Sequence, residues 1–308
     1  MCLDTVLKWP QASSWRSNQG KLRQVNWWRT RKARIIASIL GFLVIFGVLG
    51  FRLDLEVRRF EIQTELMPPG SQITLVQLSD FHSNSYGLRQ HRVVDQVVAV
   101  NPDAVLLTGD ILDRRLPITN GVELVEELTA RWPVFFINGN HEFLSRRDVE
   151  FEQILTNNGV TVMRGDVVEF TANGATIQIG GLDDVDVNWA RPSQDRYVVQ
   201  LQRLGSQLDP NLFSVVLSHR PERVVDFKGL GPNLVLSGHA HGGQWAIPGI
   251  LPNGLFAPGQ GLLPAMTNGL FEVDGMQLLV SRGLSRHSPP VPRIFNRPDM
   301  IVITLRGL

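Results

Sequence analysis

Two histidines one residue apart lie in the stretch Gly238-His239-Ala240-His241-Gly242-Gly243-Gln244, directly after the apolar run Leu234-Val235-Leu236. Residues i and i+2 of a strand face the same side, so the spacing predicts both imidazoles aimed at one spot. Two converging imidazoles suit a metal ion, and the flanking glycines let the backbone approach closely. The same arrangement recurs along the chain. Apolar runs end in Asp80 and His82, in Asp110 and Asp113, in Asn140 and His141, and in His219. Five of the seven histidines fall at such ends, where histidines placed at random would be scattered over helices and surface. In open α/β sheets the loops after the strands form the site. Aspartate, imidazole and an amide oxygen, with no thiolate, suit Mn²⁺, Fe or Zn²⁺. The groups are too many for one ion, which points to a two-metal centre with one bridging carboxylate. Two ions ~3.5–4 Å apart clamp the attacking and leaving oxygens of phosphoryl transfer. A water between them loses a proton easily.

The elements that must position these groups follow from the hydrophobic periods. Ile73–Leu78, Ala104–Leu107 and Val134–Ile137 read as buried strands. Leu88–Val100 (with Val93, Val94, Val97 and Val98 on one side), Val122–Ala130 and Asp148–Asn157 read as helices between them. This alternation predicts a layered α/β architecture. Further on, Thr161–Met163, Val167–Phe170 and Thr176–Ile179 are short strands. Gln194–Leu204 is helical, Phe213–Leu217 and Leu234–Leu236 are strands, and Phe271–Val273, Gln277–Ser281 and Met300–Leu305 close the body.

The chain has 308 residues, 43% hydrophobic and 19% charged, an ordinary globular composition. Cys2 is the single cysteine, so no disulfide and no cysteine zinc site forms within one chain. The net charge of +1 hides an asymmetry. Residues 1–34 carry eight basic residues and one acid, leaving 22 basic against 28 acidic residues in the rest. An acidic body argues against nucleic-acid binding, which rests on phosphate neutralisation. The basic tail also holds Trp9, Trp15, Trp27 and Trp28, a combination that favours a membrane interface. Residues 35–51, IIASILGFLVIFGVLGF, are uncharged and read as an uncleaved membrane anchor, single-pass or monotopic. The expected organisation is a basic tail (1–34), the anchor (35–51), a linker with an edge strand (52–70) and a catalytic body (71–308). The positive-inside rule places the tail in the cytoplasm and the body outside, although Arg52, Arg58 and Arg59 reduce the bias. Residues 245–270, rich in Pro, Gly and large apolar side chains, read either as an apolar flap beside the metals that receives acyl chains or as packing between loop and sheet.

The series Asp-x-His, Gly-Asp-x-x-Asp, Gly-Asn-His-Glu, His and Gly-His-x-His, in order along the body, resembles the calcineurin-like metallophosphoesterase superfamily. That resemblance implies a four-layer α/β/β/α sandwich, here preceded by one N-terminal membrane helix. It implies one metal ion on Asp80, His82, Asp110 and His241, and a second on Asp110, Asn140, His219 and His239. Asp110 and a water or hydroxide would bridge the pair, and the hydroxide would attack phosphorus. His141 would act on the leaving group or the transition-state charge, with Asp113 orienting its ring, and Arg114 would contact phosphate. The blocks Gly180-Gly181-Leu182-Asp183-Asp184 and Ser281-Arg282-Gly283-Leu284 are similar to a membrane-associated subgroup. That subgroup includes bacterial phosphodiesterases and a UDP-2,3-diacylglucosamine pyrophosphatase of lipid A synthesis. The expected partners are therefore a phosphodiester or pyrophosphate substrate, lipid-linked in the second case, and membrane lipid, with no obligate protein partner. A lipid A precursor would put the site on the cytoplasmic face, against the charge bias. The alternatives are a non-lipid phosphodiester outside the membrane, or a binding module without catalysis on the same fold. His287 lies outside the five blocks and reads as a loop residue.

Overall fold

A computed structural model describes residues 30–113, 115–190, 196–286 and 292–308. The basic tail through residue 29, Arg114 and His287 lie outside the described residues. The chain divides into two units, Met1–Phe46 and Gly47–Leu308. In the first unit the described part is the beginning of helix α1 (Arg31–Gly50), which covers most of the uncharged run. It is long and apolar enough to cross a membrane, with a mean hydropathy of 2.2.

The body holds two six-stranded sheets. The first has the order β1 (Glu56–Thr64), β14 (Asp299–Gly307), β2 (Gln72–Leu78), β3 (Ala104–Leu107), β4 (Val134–Phe136), β5 (Thr161–Val162). The second runs β12 (Gly269–Val273), β13 (Met276–Val280), β9 (Leu234–Ser237), β8 (Ser214–Leu217), β7 (Ala175–Gly181), β6 (Asp166–Ala172). β2, β3, β4 and β5 are parallel, as are β7, β8, β9 and β13, so each set opens its carboxyl ends on one edge.

Strand side chains alternate between faces, and the alternation assigns the layers. Ile73 and Leu75 of β2, Leu106 of β3 and Ile301 and Ile303 of β14 meet Ile177, Ile179, Val215, Leu217 and Leu236 of the other sheet. Their neighbours Val76, Leu78, Val105 and Leu107 face outward onto α2 (His91–Val100), α3 (Thr119–Thr129) and α5 (Asp148–Asn157). On the far side Val216, Val235 and Leu278 pack against α6 (Arg196–Gln207) and the short 3₁₀ segment Pro221–Phe227. The result is the expected α/β/β/α sandwich. Near-continuous apolar runs appear because these strands are covered on both faces.

Two helical expectations change in detail. The segment 88–100 is a 3₁₀ turn followed by α2, because Arg89 and Gln90 take positive φ of 47° and 55°. Val93, Val94 and Val97 are buried, but Val98 turns to solvent. The stretch 52–70 contains β1, which is hydrogen-bonded in parallel to β14 along nine residues.

Candidate metal centre

Every described metal-site candidate singled out from the sequence sits on one edge of the sandwich, in the segments that follow β2, β3, β4, β8 and β9. Three overlapping groups form there: Asp80, His82 and His241; His82, Asp110 and His141; Asp110, His219 and His239. Within each, the nitrogen and oxygen atoms lie within 4.8 Å of one another. Asp110 Oδ2 is 3.6 Å from His82 Nε2 and 3.3 Å from His219 Nε2, which puts one carboxylate between two clusters. Asn140 Oδ1 is 3.2 Å from His219 Nε2, and His239 Nδ1 is 3.2 Å from the same nitrogen. His241 Nε2 is 3.6 Å from Asp80 Oδ1.

The paired histidines differ from the strand expectation. β9 ends at Ser237, and both imidazoles follow in a turn, with φ of 61° at His239 and 47° at His241. They therefore serve two neighbouring clusters and do not aim at one spot. Asp80, His82 and Asp110 also have φ near 50°. Such left-handed backbone costs of order 1–3 kcal/mol per non-glycine residue and persists only where the surroundings over-determine it. Here they do. His239 N–H donates to both oxygens of Asp80 (3.1 and 3.0 Å), and His141 N–H to Asp110 Oδ1 (2.8 Å). Glycine is required at two contacts. A Cβ at Gly238 would overlap the Ser79 hydroxyl and the Asp80 carboxylate, and one at Gly139 would overlap the Asp110 carboxylate.

Asp113 Oδ2 lies 3.2 Å from Nδ1 of both His82 and His141. One carboxylate oxygen is thus placed to accept from Nδ1–H of both rings, the tautomer that directs each Nε2 away from Asp113. His141 stays partly exposed, on the wall of a cleft of about 530 Å³ that Arg115, Leu116, Pro258 and Ser285 also line. Arg115 is the neighbour of Arg114, which has no described position. Burial lowers the His141 pKa, but the charge of Asp110 and the bond to Asp113 outweigh it and raise the group above its usual value. His219 is likewise disfavoured by burial but is pushed up to about 10 by the charge of Asp110 and the contact with it. Its Nδ1–H donates to Thr108 O at 2.7 Å. His239 and His241 are held well below the usual range by burial and then by a neighbouring histidine, His219 or His82 respectively.

The donor set fits divalent metal ions. His82 Nε2, His239 Nε2 and His241 Nδ1 are buried with no hydrogen-bond partner, an arrangement otherwise costly for a polar atom. The ligands are hard or borderline, and each group supplies oxygen and nitrogen together.

Several supporting residues escaped the sequence reading. Glu142 is fully buried and accepts four backbone N–H groups: Asp110 and Gly139 on Oε2 (2.9 and 2.8 Å), Ile111 and Leu112 on Oε1 (2.8 and 3.0 Å). It belongs to α4 (Asn140–Leu144), a single turn opening at Gly139. Its signal was the glutamate three residues after the helix-starting Gly139, in capping-box position. Asn138 donates to Asp183 Oδ1 (2.9 Å) and Glu152 Oε1 (3.0 Å). Arg220, next to His219, is held by both oxygens of Asp184 (2.7 and 3.0 Å). The Gly-Gly-Leu-Asp-Asp block therefore braces two site loops from behind.

The sequence profile of calcineurin-like phosphoesterases matches residues 73–243, more than half the chain. The chain belongs to that family, and it is a metal-dependent phosphoesterase hydrolase. Among its relatives, the metallophosphoesterase YkuE of Bacillus subtilis (strain 168) is 29% identical over 283 residues, covering 88% of this chain and 94% of that protein. The transmembrane protein with metallophosphoesterase domain of Bos taurus is 24% identical over 96% of this chain and 68% of its own length. A solved dimetal phosphatase from Danio rerio aligns at a TM-score of 0.44 with 14% identity, over 69% of this chain and 88% of that one. It is too distant to inform on substrate.

Proposed function

We propose that this protein is a membrane-anchored, dinuclear-metal phosphoesterase that hydrolyses a phosphodiester or pyrophosphate bond of a lipid-linked nucleotide, with UDP-2,3-diacylglucosamine as the candidate substrate. Asp80, His82, Asp110 and His241 would hold one ion, and Asp110, Asn140, His219 and His239 the other. The observation that carries this is that three Asp/His groups link through His82 and Asp110 into one continuous set, in which His82 Nε2 and His239 Nε2 are buried with no hydrogen-bond partner. Bound there, two dications would supply Lewis-acid stabilisation of phosphoryl oxygens and lower the pKa of a bound water. His141 is the proton-handling group. Asp113 takes its Nδ1–H, so its Nε2 presents to the cleft, and its raised pKa favours the imidazolium, whose Nε2–H can pass to a leaving oxygen. Phosphate contact is assigned to Arg114, beside the cleft-lining Arg115. The uncharged helix and the relative named as a transmembrane protein support membrane attachment.

The test is UMP release from UDP-2,3-diacylglucosamine in detergent micelles by the Mn²⁺-loaded protein, with Asp110→Ala as the blank. Release above the blank assigns the lipid-linked pyrophosphate and a cytoplasm-facing site, against the charge bias of the tail. No release, with a simple aryl phosphodiester still cleaved, refutes the lipid-linked nucleotide and leaves the hydrolase. Loss of both activities together with failure to bind metal refutes the dinuclear reading.

A further inference from the structure

Residues 254–263 form a two-stranded ribbon, β10 (Phe256–Ala257) and β11 (Gly261–Leu262), immediately after the metal-site histidines. Its faces are the reverse of those of a ribbon on a soluble surface. Ala257 is fully buried beneath it, in the cluster with Ala240 and Val280. The cross-strand pair Phe256 and Leu262 faces solvent, 46% and 73% exposed. Leu263 (68%) and Ile250 (73%) add to the exposed apolar surface of this loop. Cross-strand apolar pairs stabilise a ribbon when they are covered, and here the protein itself leaves them open.

The ribbon is not loose. Leu255 N–H donates to Gly243 O (2.9 Å) and Leu263 N–H to Leu255 O (2.9 Å). Gln260 bonds Ala265 and Met266 from inside the loop, and Thr267 bonds Asn253 O. A rigid backbone that holds large apolar groups in water implies an apolar phase to receive them. The connections identify that phase. Gly50, where the uncharged run joins the body, accepts from Phe295 N–H at 2.7 Å. The adjacent Ile294 pairs with Trp245 and bonds Gln244 O and Ala246 N–H. Trp245 is itself partly exposed, and its indole N–H donates to Pro292 O. The end of the apolar run, a tryptophan of the kind favoured at lipid–water interfaces, and the ribbon base are thus joined through a few main-chain hydrogen bonds.

We propose that the β10–β11 ribbon docks on a lipid bilayer, with Phe256, Leu262, Leu263 and Ile250 entering the acyl boundary. This rests on the reading of residues 35–51 as a membrane anchor. The ribbon turn carries Pro258, which lines the cleft, so docking holds the cleft mouth at headgroup height. A phosphoester of a bilayer lipid then reaches the site without leaving the membrane.

The test uses the full-length chain with Cys2→Ser, reconstituted in phosphatidylethanolamine/phosphatidylglycerol vesicles, carrying either Leu262→Cys or Thr156→Cys labelled with bimane. Thr156 is exposed near the end of α5, which runs away from the site towards the start of β5. The expected result is that a doxyl-labelled lipid quenches the probe at 262 about threefold more than the probe at 156, while soluble iodide shows the reverse. If the vesicles float without the protein, the anchor reading fails. If the protein floats but iodide quenches both probes equally, the docking fails and the anchor stands. Protection of the 262 probe from both quenchers would also overturn the proposal, in favour of a second copy covering the ribbon.

Discussion

Replacing Glu142 with glutamine tests whether one carboxylate ties the two central metal loops together. Burial and the charge of Asp110 push Glu142 upward, but four N–H donors favour its ionised form. A proton on either oxygen would point at an N–H, so the carboxylate is the form that fits. A glutamine keeps one accepting oxygen and turns an NH₂ towards the other two donors. Two hydrogen bonds to a charged acceptor are lost, at about 1.5–3 kcal/mol each, and two buried N–H groups are left unpaired. Relief from burying a charge offsets part of this, so the net destabilisation is about 3 kcal/mol. With a urea slope of roughly 3 kcal/mol/M, the unfolding midpoint falls by about 1 M. The bonded groups are the backbone of Asp110 and the start of the Asn140 helix, so metal content should fall with stability. The assay is urea unfolding by tryptophan fluorescence in detergent, paired with metal analysis of the purified protein. An unchanged midpoint and full metal content would refute the reasoning.

Asp113→Asn makes a sharper distinction between structure and catalysis. Its Oδ1 still accepts from the backbone of Arg115 and Leu116, but an NH₂ now faces both Nδ1 atoms and forces the proton onto Nε2 of each ring. The variant should fold, lose one of two metal ions and lose about 100-fold or more in kcat, read by metal analysis and aryl phosphodiester turnover. Retention of both ions would count against the tautomer argument. Asp183 gives a pH signature. Burial pushes it up to about 6, only partly opposed by its bonds to Gln200 and Asn138. Its folded pKa exceeds its unfolded value, so its contribution is full below about pH 4 and is lost as pH rises through about 6, by up to roughly 3 kcal/mol. Asp183→Asn should therefore remove that slope from urea midpoints measured between pH 4 and 7, and parallel curves for the two proteins would reject the assignment.

The strand ends were legible because strand period and residue chemistry coincide there. A buried strand must stop before it can present Asp110 or His219, so each apolar run announced a candidate ligand. The conformations of those ligands were not legible. Nothing in the residue types of Asp80 or His241 announces a positive φ, which the closing loops impose. α4 was invisible as a helix because one turn shows no period, and Glu142 was read only as part of a motif. The bracing pairs were out of reach for another reason. Asn138 meets Asp183 across 45 residues, and Arg220 meets Asp184 across 36, contacts set by strand order and not by spacing. The two sheets were countable as strands, but the insertion of β14 between β1 and β2 was not.

That insertion has a consequence for how the protein is made. Among the described residues β1 has β14 as its one strand neighbour, and Arg58 reaches Asp299 across 241 residues. At roughly 5–20 residues per second of synthesis, β1 waits on the order of ten seconds or more for its mate. Through that interval the edges of both β1 and β2 stand open as templates for a foreign strand. The wait falls on the strand that directly follows the apolar helix. Arg58, Arg59 and Glu61 place charge along β1, which discourages such pairing. The segment that emerges first behind the apolar helix is among the last to be secured, and the newborn protein is most vulnerable there.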